Sequence, residues 1–273
     1  MKISTFVAPS IGLSVLLGLS AQGATTVTYD FQLETAADLF SGDVTGWTQD
    51  SANPVAFGDT FPLAYIEASD FGGGSSNTGF LGTHFANTSP NTSTTVAGAL
   101  NFTGIDAVVA PETTFNLGIQ DNAADSFTGR DAFSVALRTS LSANIAQIVF
   151  TPTSGDEATW DVAVGIGNAV PSSTLATVTA AAGYIFKIDF SEGATKFSYG
   201  GSAGGVPNVQ FATRGGVGLS DLGEIAMTHD PLAAEGTSAN SLIFDNIVVS
   251  VPEPSSAALL ILGSAFLFGR RRS

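Results

Sequence analysis

Apolar and polar residues alternate with a period of two through most of the chain, the pattern of strands that bury one face and wet the other. Val27, Tyr29, Phe31 and Leu33 alternate with Thr28, Asp30 and Gln32, and Phe133, Val135 and Leu137 alternate with Ser134, Ala136 and Arg138. On the other parity, Tyr184, Phe186, Ile188 and Phe190 flank Lys187 and Asp189. Between Leu242 and Val249 apolar residues occupy both parities, which predicts a strand buried on both faces. Thr113 to Gln120, Ile145 to Thr151, Thr159 to Ile166 and Thr195 to Tyr199 are further predicted strands, each bounded by Gly, Asn, Asp, Ser or Pro. A helical period with caps at both ends is missing from the body; Glu34 to Phe40 offers a turn or two at most. The glycine-rich runs 72–82 and 200–218 and the Ser/Thr/Asn-rich run 87–95 read as surface loops, and no repeat of fixed period is present. Many short strands punctuated by glycine predict an all-β fold, a two-sheet antiparallel jelly-roll sandwich, over a single domain from 25 to 250.

The two ends break this pattern. At the N-terminus Lys2 is followed by an apolar stretch centred on Ile11 to Leu19 and then by Ser20, Ala21, Gly23 and Ala24. Charge, short apolar core and small residues in that order predict a helical secretory signal peptide over 1–24. At the C-terminus, 251–273, a short apolar run from Ala257 to Gly269 is followed by Arg270, Arg271 and Arg272. This predicts a short hydrophobic helix, below the ~17–25 residues of a comfortable bilayer span. Arginines directly after it favour a cytoplasmic position for that end, leaving the body outside.

Pro252, Glu253 and Pro254, the hydrophobic run and the terminal Arg270 to Arg272 cluster together resemble the PEP-CTERM sorting signal. The resemblance covers the last 22 or so residues and implies a membrane-embedded exosortase as partner. It further implies transient anchoring in the inner membrane, cleavage near the tripeptide, and a place at the cell surface or in an exopolysaccharide matrix. The body carries a looser resemblance: the opening TYDFQL, the pair DAFSVALRTS and IAQIVFTP, the run YIFKIDFSEGATKFSYGG and the closing SLIFDNIVVS are similar to concanavalin-like and laminin-G-like jelly rolls, and more loosely to carbohydrate-binding modules. That likeness implies pairing of the first and last strands.

Charge narrows the range of partners. Four of the nine basic residues lie in the two ends, so the body holds five cations, Arg130, Arg138, Lys187, Lys196 and Arg214, against 23 acidic residues, a formal charge of −18. Nucleic acid is excluded, because its binding needs Lys and Arg to neutralise phosphates. Cysteine is absent, so disulfides and thiolate metal sites are excluded as well.

Catalytic patterns are weak. Paired carboxylates alternating along one strand, as jelly-roll glucanases present them for glycosidic cleavage, are not found; Asp156, Glu157 and Asp161 around Trp160 come nearest, but Asp156 and Glu157 follow Ser154-Gly155 and read as a turn. His84 and His229, without a Gly-x-Ser-x-Gly elbow, read as solvated loop residues rather than bases, and two distant histidines make no zinc site. Calcium, which takes carboxylate and amide oxygens from loops, has its candidate ligands in Asp121, Asn122 and Asp125, residues that equally suit a turn. Trp160 alternates with Val162 and Val164 and reads as core, which leaves Trp47 as the candidate aromatic contact for a glycan. The expected function is that of an exported, non-enzymatic surface or matrix protein associated with exopolysaccharide. The alternatives are a carbohydrate-binding lectin-like module and an atypical glycoside hydrolase or lyase.

Overall fold

In the computed structural model, residues 24–252 are described apart from 51–63, 69–76, 83–92, 104, 106–110, 122–129, 157, 168, 170–173, 191–192, 202, 204, 218, 220 and 231–239. The signal segment up to 23 and the sorting segment from 253 therefore lie outside the described residues, as do His84, Asn122, Asp125, Glu157 and the apolar run 257–269, while Val251, expected to open the sorting segment, ends β15.

The strands are β1 (Thr25–Tyr29), β2 (Trp47–Asp50), β3 (Ala64–Glu67), β4 (Thr78–Gly82), β5 (Thr94–Thr103), β6 (Glu112–Asp121), β7 (Ala132–Arg138) and β8 (Asn144–Pro152). They continue with β9 (Thr159–Ile166), β10 (Ala176–Thr179), β11 (Gly183–Asp189), β12 (Ala194–Gly200), β13 (Val209–Gly215), β14 (Asp221–Asp230) and β15 (Asn240–Val251). Every pairing is antiparallel. One sheet of eight strands runs β13-β12-β11-β6-β15-β4-β3 with β1 also on β15, and the other, of seven, runs β10-β9-β8-β7-β14-β5-β2. The fold is thus the predicted two-sheet sandwich, and Ala24–Glu253 forms one compact unit.

Alternate side chains of both sheets meet in one apolar core. Phe115, Leu117, Phe186, Ile188, Leu242 and Phe244 come from the eight-stranded sheet, and Val135, Ile148, Phe150, Trp160, Ile225 and Met227 from the seven-stranded one. Burial of this area drives folding at about 25 cal/mol per Å². The last strand is the spine: β15 pairs with β6 along most of its length, with β4 over Ser241–Phe244 and with β1 over Ile247–Val251. Flanked by strands on both sides, its first six residues are buried on both faces, as the double-parity pattern predicts.

Several expectations need correcting. The run 72–82 contains β4, 200–218 contains β13, and 87–95 contains the start of β5. Glycine is no obstacle in β4, because the position of Gly79 is dictated by packing: a Cβ there would lie 2.3 Å from the Phe244 ring. The first strand stops at Tyr29; Phe31 turns inward with φ at 51° and Leu33 is 97% exposed. Glu34 to Phe40 forms turns, without helix.

Candidate functional site

Ladder register places one set of loops at a common end of the sandwich. Asn240 lies opposite Asp121, Ser241 opposite Gly82, His229 opposite Thr94 and Asp230 opposite Ala132. The connections β4–β5, β6–β7 and β14–β15 therefore spring from neighbouring strand ends, beside the β8–β9 turn where Pro152 pairs with Trp160.

At these strand ends a polar cluster sits between the sheets. Asp131, one residue before β7, is fully buried. Its backbone N–H donates to Asn240 Oδ1 at 3.2 Å, its carbonyl accepts from Trp160 Nε1 at 3.0 Å, and its Oδ2 accepts from His229 Nε2 at 2.7 Å. A carboxylate only accepts, so the proton of that last bond belongs to His229 Nε2. The His229 ring lies 5.5 Å from Phe133, and the Arg130 guanidinium stands 4.8 Å above the Trp160 ring while reaching the Asp156 carbonyl at 3.5 Å. The cluster fastens the ends of β7, β9 and β14 in one sheet to the end of β15 in the other. In a chain without cysteine it takes the place of a covalent tie. Asp131 Oδ1, His229 Nδ1, Asn240 Nδ2 and Thr94 Oγ1 are buried without a protein partner, so the end of the core is polar beyond what its own bonds consume.

The residues singled out from the sequence fall in different places. Asp121 ends β6 opposite Asn240, so the candidate calcium loop starts at this same end. His229 is wholly buried and hydrogen-bonded, not solvated, because β14 turns it inward toward Asp131. Trp160 is core. Trp47 is 5% exposed and packs with Phe31, Phe40 and Phe244, whose ring centroids lie 5.1–5.8 Å apart, and edge-on against Tyr29 at 5.2 Å. Asp156 and Asp161 serve the turn, accepting from Ala158 N–H and from Thr153 Oγ1. Among the described residues no group of three or more His, Asp or Glu side chains converges as a metal site.

Elsewhere, charge pairing is local. Lys187 on the outer face of the eight-stranded sheet pairs with Glu112 and, at 3.6 Å, with Asp189. Burial works against its charge, yet bonding to those two carboxylates holds its pKa above the usual lysine value. Burial also pushes the Tyr29 hydroxyl up while it donates to the Ala99 carbonyl at 2.5 Å.

No family model matches this sequence, and no curated protein is similar to it in sequence. Solved structures do share its fold. The winged bean acidic lectin complexed with methyl-α-D-galactose is 10% identical over 84% of this chain and 99% of its own, with a TM-score of 0.53. Lectin II from Ulex europaeus has the same identity and coverage with a TM-score of 0.50. A carbohydrate esterase of the Shiga toxin-encoding bacteriophage phi24B is 14% identical over 85% of this chain and 100% of its own, with a TM-score of 0.49. At such identities the likeness is one of fold alone: the body is a concanavalin-like jelly-roll sandwich.

Proposed function

We propose that this protein is an exported, non-enzymatic, lectin-like module that binds a glycan through the loops over Asp131, His229 and Asn240. The observation that carries the reading is the inter-sheet polar cluster. It spends four buried polar residues on fixing the bases of three loops at one end, which is what a loop-borne recognition site needs from its scaffold. The lectins that share the fold, one of them complexed with a galactoside, support the same ligand class. Calcium fits the donor chemistry of Asp121, Asn122 and Asp125, and the buried, unpartnered Asp131 Oδ1 is a further carboxylate oxygen on the same connection. When bound, the ion would supply charge for holding sugar hydroxyls and for ordering the loop.

The reading extends to the ends of the chain. Signal peptide, Pro252-Glu253-Pro254, apolar run and Arg270 to Arg272 make the protein a substrate for exosortase sorting, which delivers the module to the cell surface or to exopolysaccharide. Two measurements test this. On a glycan array the full chain is expected to show saturable, sugar-competed binding that Asp121→Ala or a chelator weakens without lowering the melting temperature. A folded protein silent on every glycan ends the lectin reading. Intact mass after expression with and without an exosortase tests sorting: loss of the segment after Pro-Glu-Pro only with the enzyme supports it, and an unchanged C-terminus refutes it.

A further inference from the structure

β7 and β15 start side by side, joined through Asp131 and Asn240, so their far ends mark the end of the sandwich opposite the polar cluster. There Thr25 lies opposite Val251, Pro252 is exposed, and Arg138 leads into the β7–β8 turn, 139–143. That turn carries no charge and has Leu141 at its tip, 89% exposed. Each backbone N–H of the turn has a partner within the protein. Thr139 N–H donates to the Ala143 carbonyl, Ser142 N–H to the Thr139 carbonyl, Leu141 and Ala143 N–H to Thr139 Oγ1, and Ser140 N–H to Asp221 Oδ2. A turn in water can leave its donors to solvent, whereas one that enters an apolar phase must satisfy them itself. Leu33, exposed in the connection after β1, stands by contrast among Asp30, Glu34 and Asp38. The same end gathers four of the five cations of the body, Arg138, Lys187, Lys196 and Arg214. Arg138 is 3.5 Å from Glu224, and Lys187 pairs with Glu112. With Asp189 and Asp221 on the strands and Asp106 and Glu192 in the connections also counted, this end lies within two charges of neutral, in a body of formal charge −18.

We propose that this end of the sandwich is a lipid-facing surface, seated by Leu141 in the headgroup region of a bilayer, so that the module stands on the membrane with its loop end turned away. The proposal rests on the reading of the C-terminal segment as a membrane anchor. Val251 ends β15 and the apolar run opens at Ala257, so only 252–256 lie between them. Even fully extended those residues reach about 18 Å, which keeps this end close to the bilayer. β15 itself spans about 40 Å, which carries the opposite loops clear of the headgroups. Charge selects the same orientation, because an acidic body is repelled least by anionic lipid at the end where its cations gather. At contact the exposed leucine contributes apolar burial, and the turn enters the interface without stranding a backbone donor.

The natural absence of cysteine allows one label at a time. Leu141→Cys, and Ser154→Cys on the exposed β8–β9 turn at the loop end, are each coupled to nitrobenzoxadiazole in the full chain. The labelled chains are reconstituted with phosphatidylcholine–phosphatidylglycerol vesicles, and flotation reports anchoring. At 141 the emission is expected to shift to the blue and to be quenched by lipid spin-labelled near the headgroup, while at 154 it keeps its solution spectrum. A chain that floats but is quenched at neither site, at both alike, or at 154 alone overturns the proposal and leaves the anchor reading standing. A chain that does not float overturns both. The part played by Leu141 is read from a label at Ala143→Cys, also exposed on the turn. Adding Leu141→Asp is expected to lower its quenching with flotation and melting temperature unchanged, and undiminished quenching overturns the proposal.

Discussion

Two parts of the interior are held by opposite means. Around Trp47 four rings, with Phe31, Phe40 and Phe244, fill space between the sheets, and even the buried Trp47 Nε1 has no partner. Around Asp131 volume counts for less than pairing: the residue accepts from an indole and an imidazole and donates its own backbone N–H to the Asn240 amide oxygen. The first region is an area effect, proportional to what is removed from water. The second is conditional, because a buried charge is tolerable only while its partners stay in place. An aromatic box holds the sheets together, whereas a polar cluster holds particular strand ends in particular positions, and that is the property a loop-bearing end requires.

The comparison can be broken most strongly at Trp47. Trp47→Ala empties the centre of the ring set and is expected to cost about 3–5 kcal/mol in denaturant unfolding. His229→Phe keeps the ring packed on Phe133 but leaves the Asp131 carboxylate without its side-chain donor, an expected loss of about 3 kcal/mol. Adding Asp131→Asn removes the stranded charge and is expected to recover part of that loss. A double-mutant cycle that came out additive would remove the distinction between the two regions. Gly79→Ala, which drives a methyl group into the Phe244 ring, is expected to cost about 1–3 kcal/mol by overpacking. The smallest effect belongs to the surface. The folded pKa of Lys187 is raised, so its stabilisation is complete below the unfolded lysine value of about 10.4 and is lost as pH climbs through the folded one. Melting temperature is therefore expected to sag above about pH 10 in the parent, and less so in Lys187→Met.

The strands legible in the sequence are those whose partners leave a one-sided burial pattern, such as β7, β9 and β11, where alternation alone marks the inward face. β13 is hidden by the glycines that surround it at 200–201, 204–205, 215–216 and 218; β4 is hidden because its glycine answers to packing against another strand, Gly79 making room for Phe244, which is far away in sequence. The polar cluster is hidden for the same reason. Nothing local distinguishes His229 from a solvated histidine, since what buries it is Asp131, 98 residues earlier. Trp47, next to Gly46 in a polar stretch, looks like a surface aromatic until Phe31, Phe40 and Phe244 are brought around it. Period-two patterning carries the architecture; residues whose role depends on distant neighbours do not announce themselves.

The position of β15 sets a timetable for the chain. Thr25 pairs with Val251, and β4 and β6 both lean on β15, so the eight-stranded sheet lacks its middle until β15 has been made. Contacts so far apart in sequence are slow to form, because long loops must close before they are rewarded. A polypeptide built this way stays open while it is being made and becomes a sandwich only after β15 has emerged. The order of strands that defines the fold is thus also a means of postponing it.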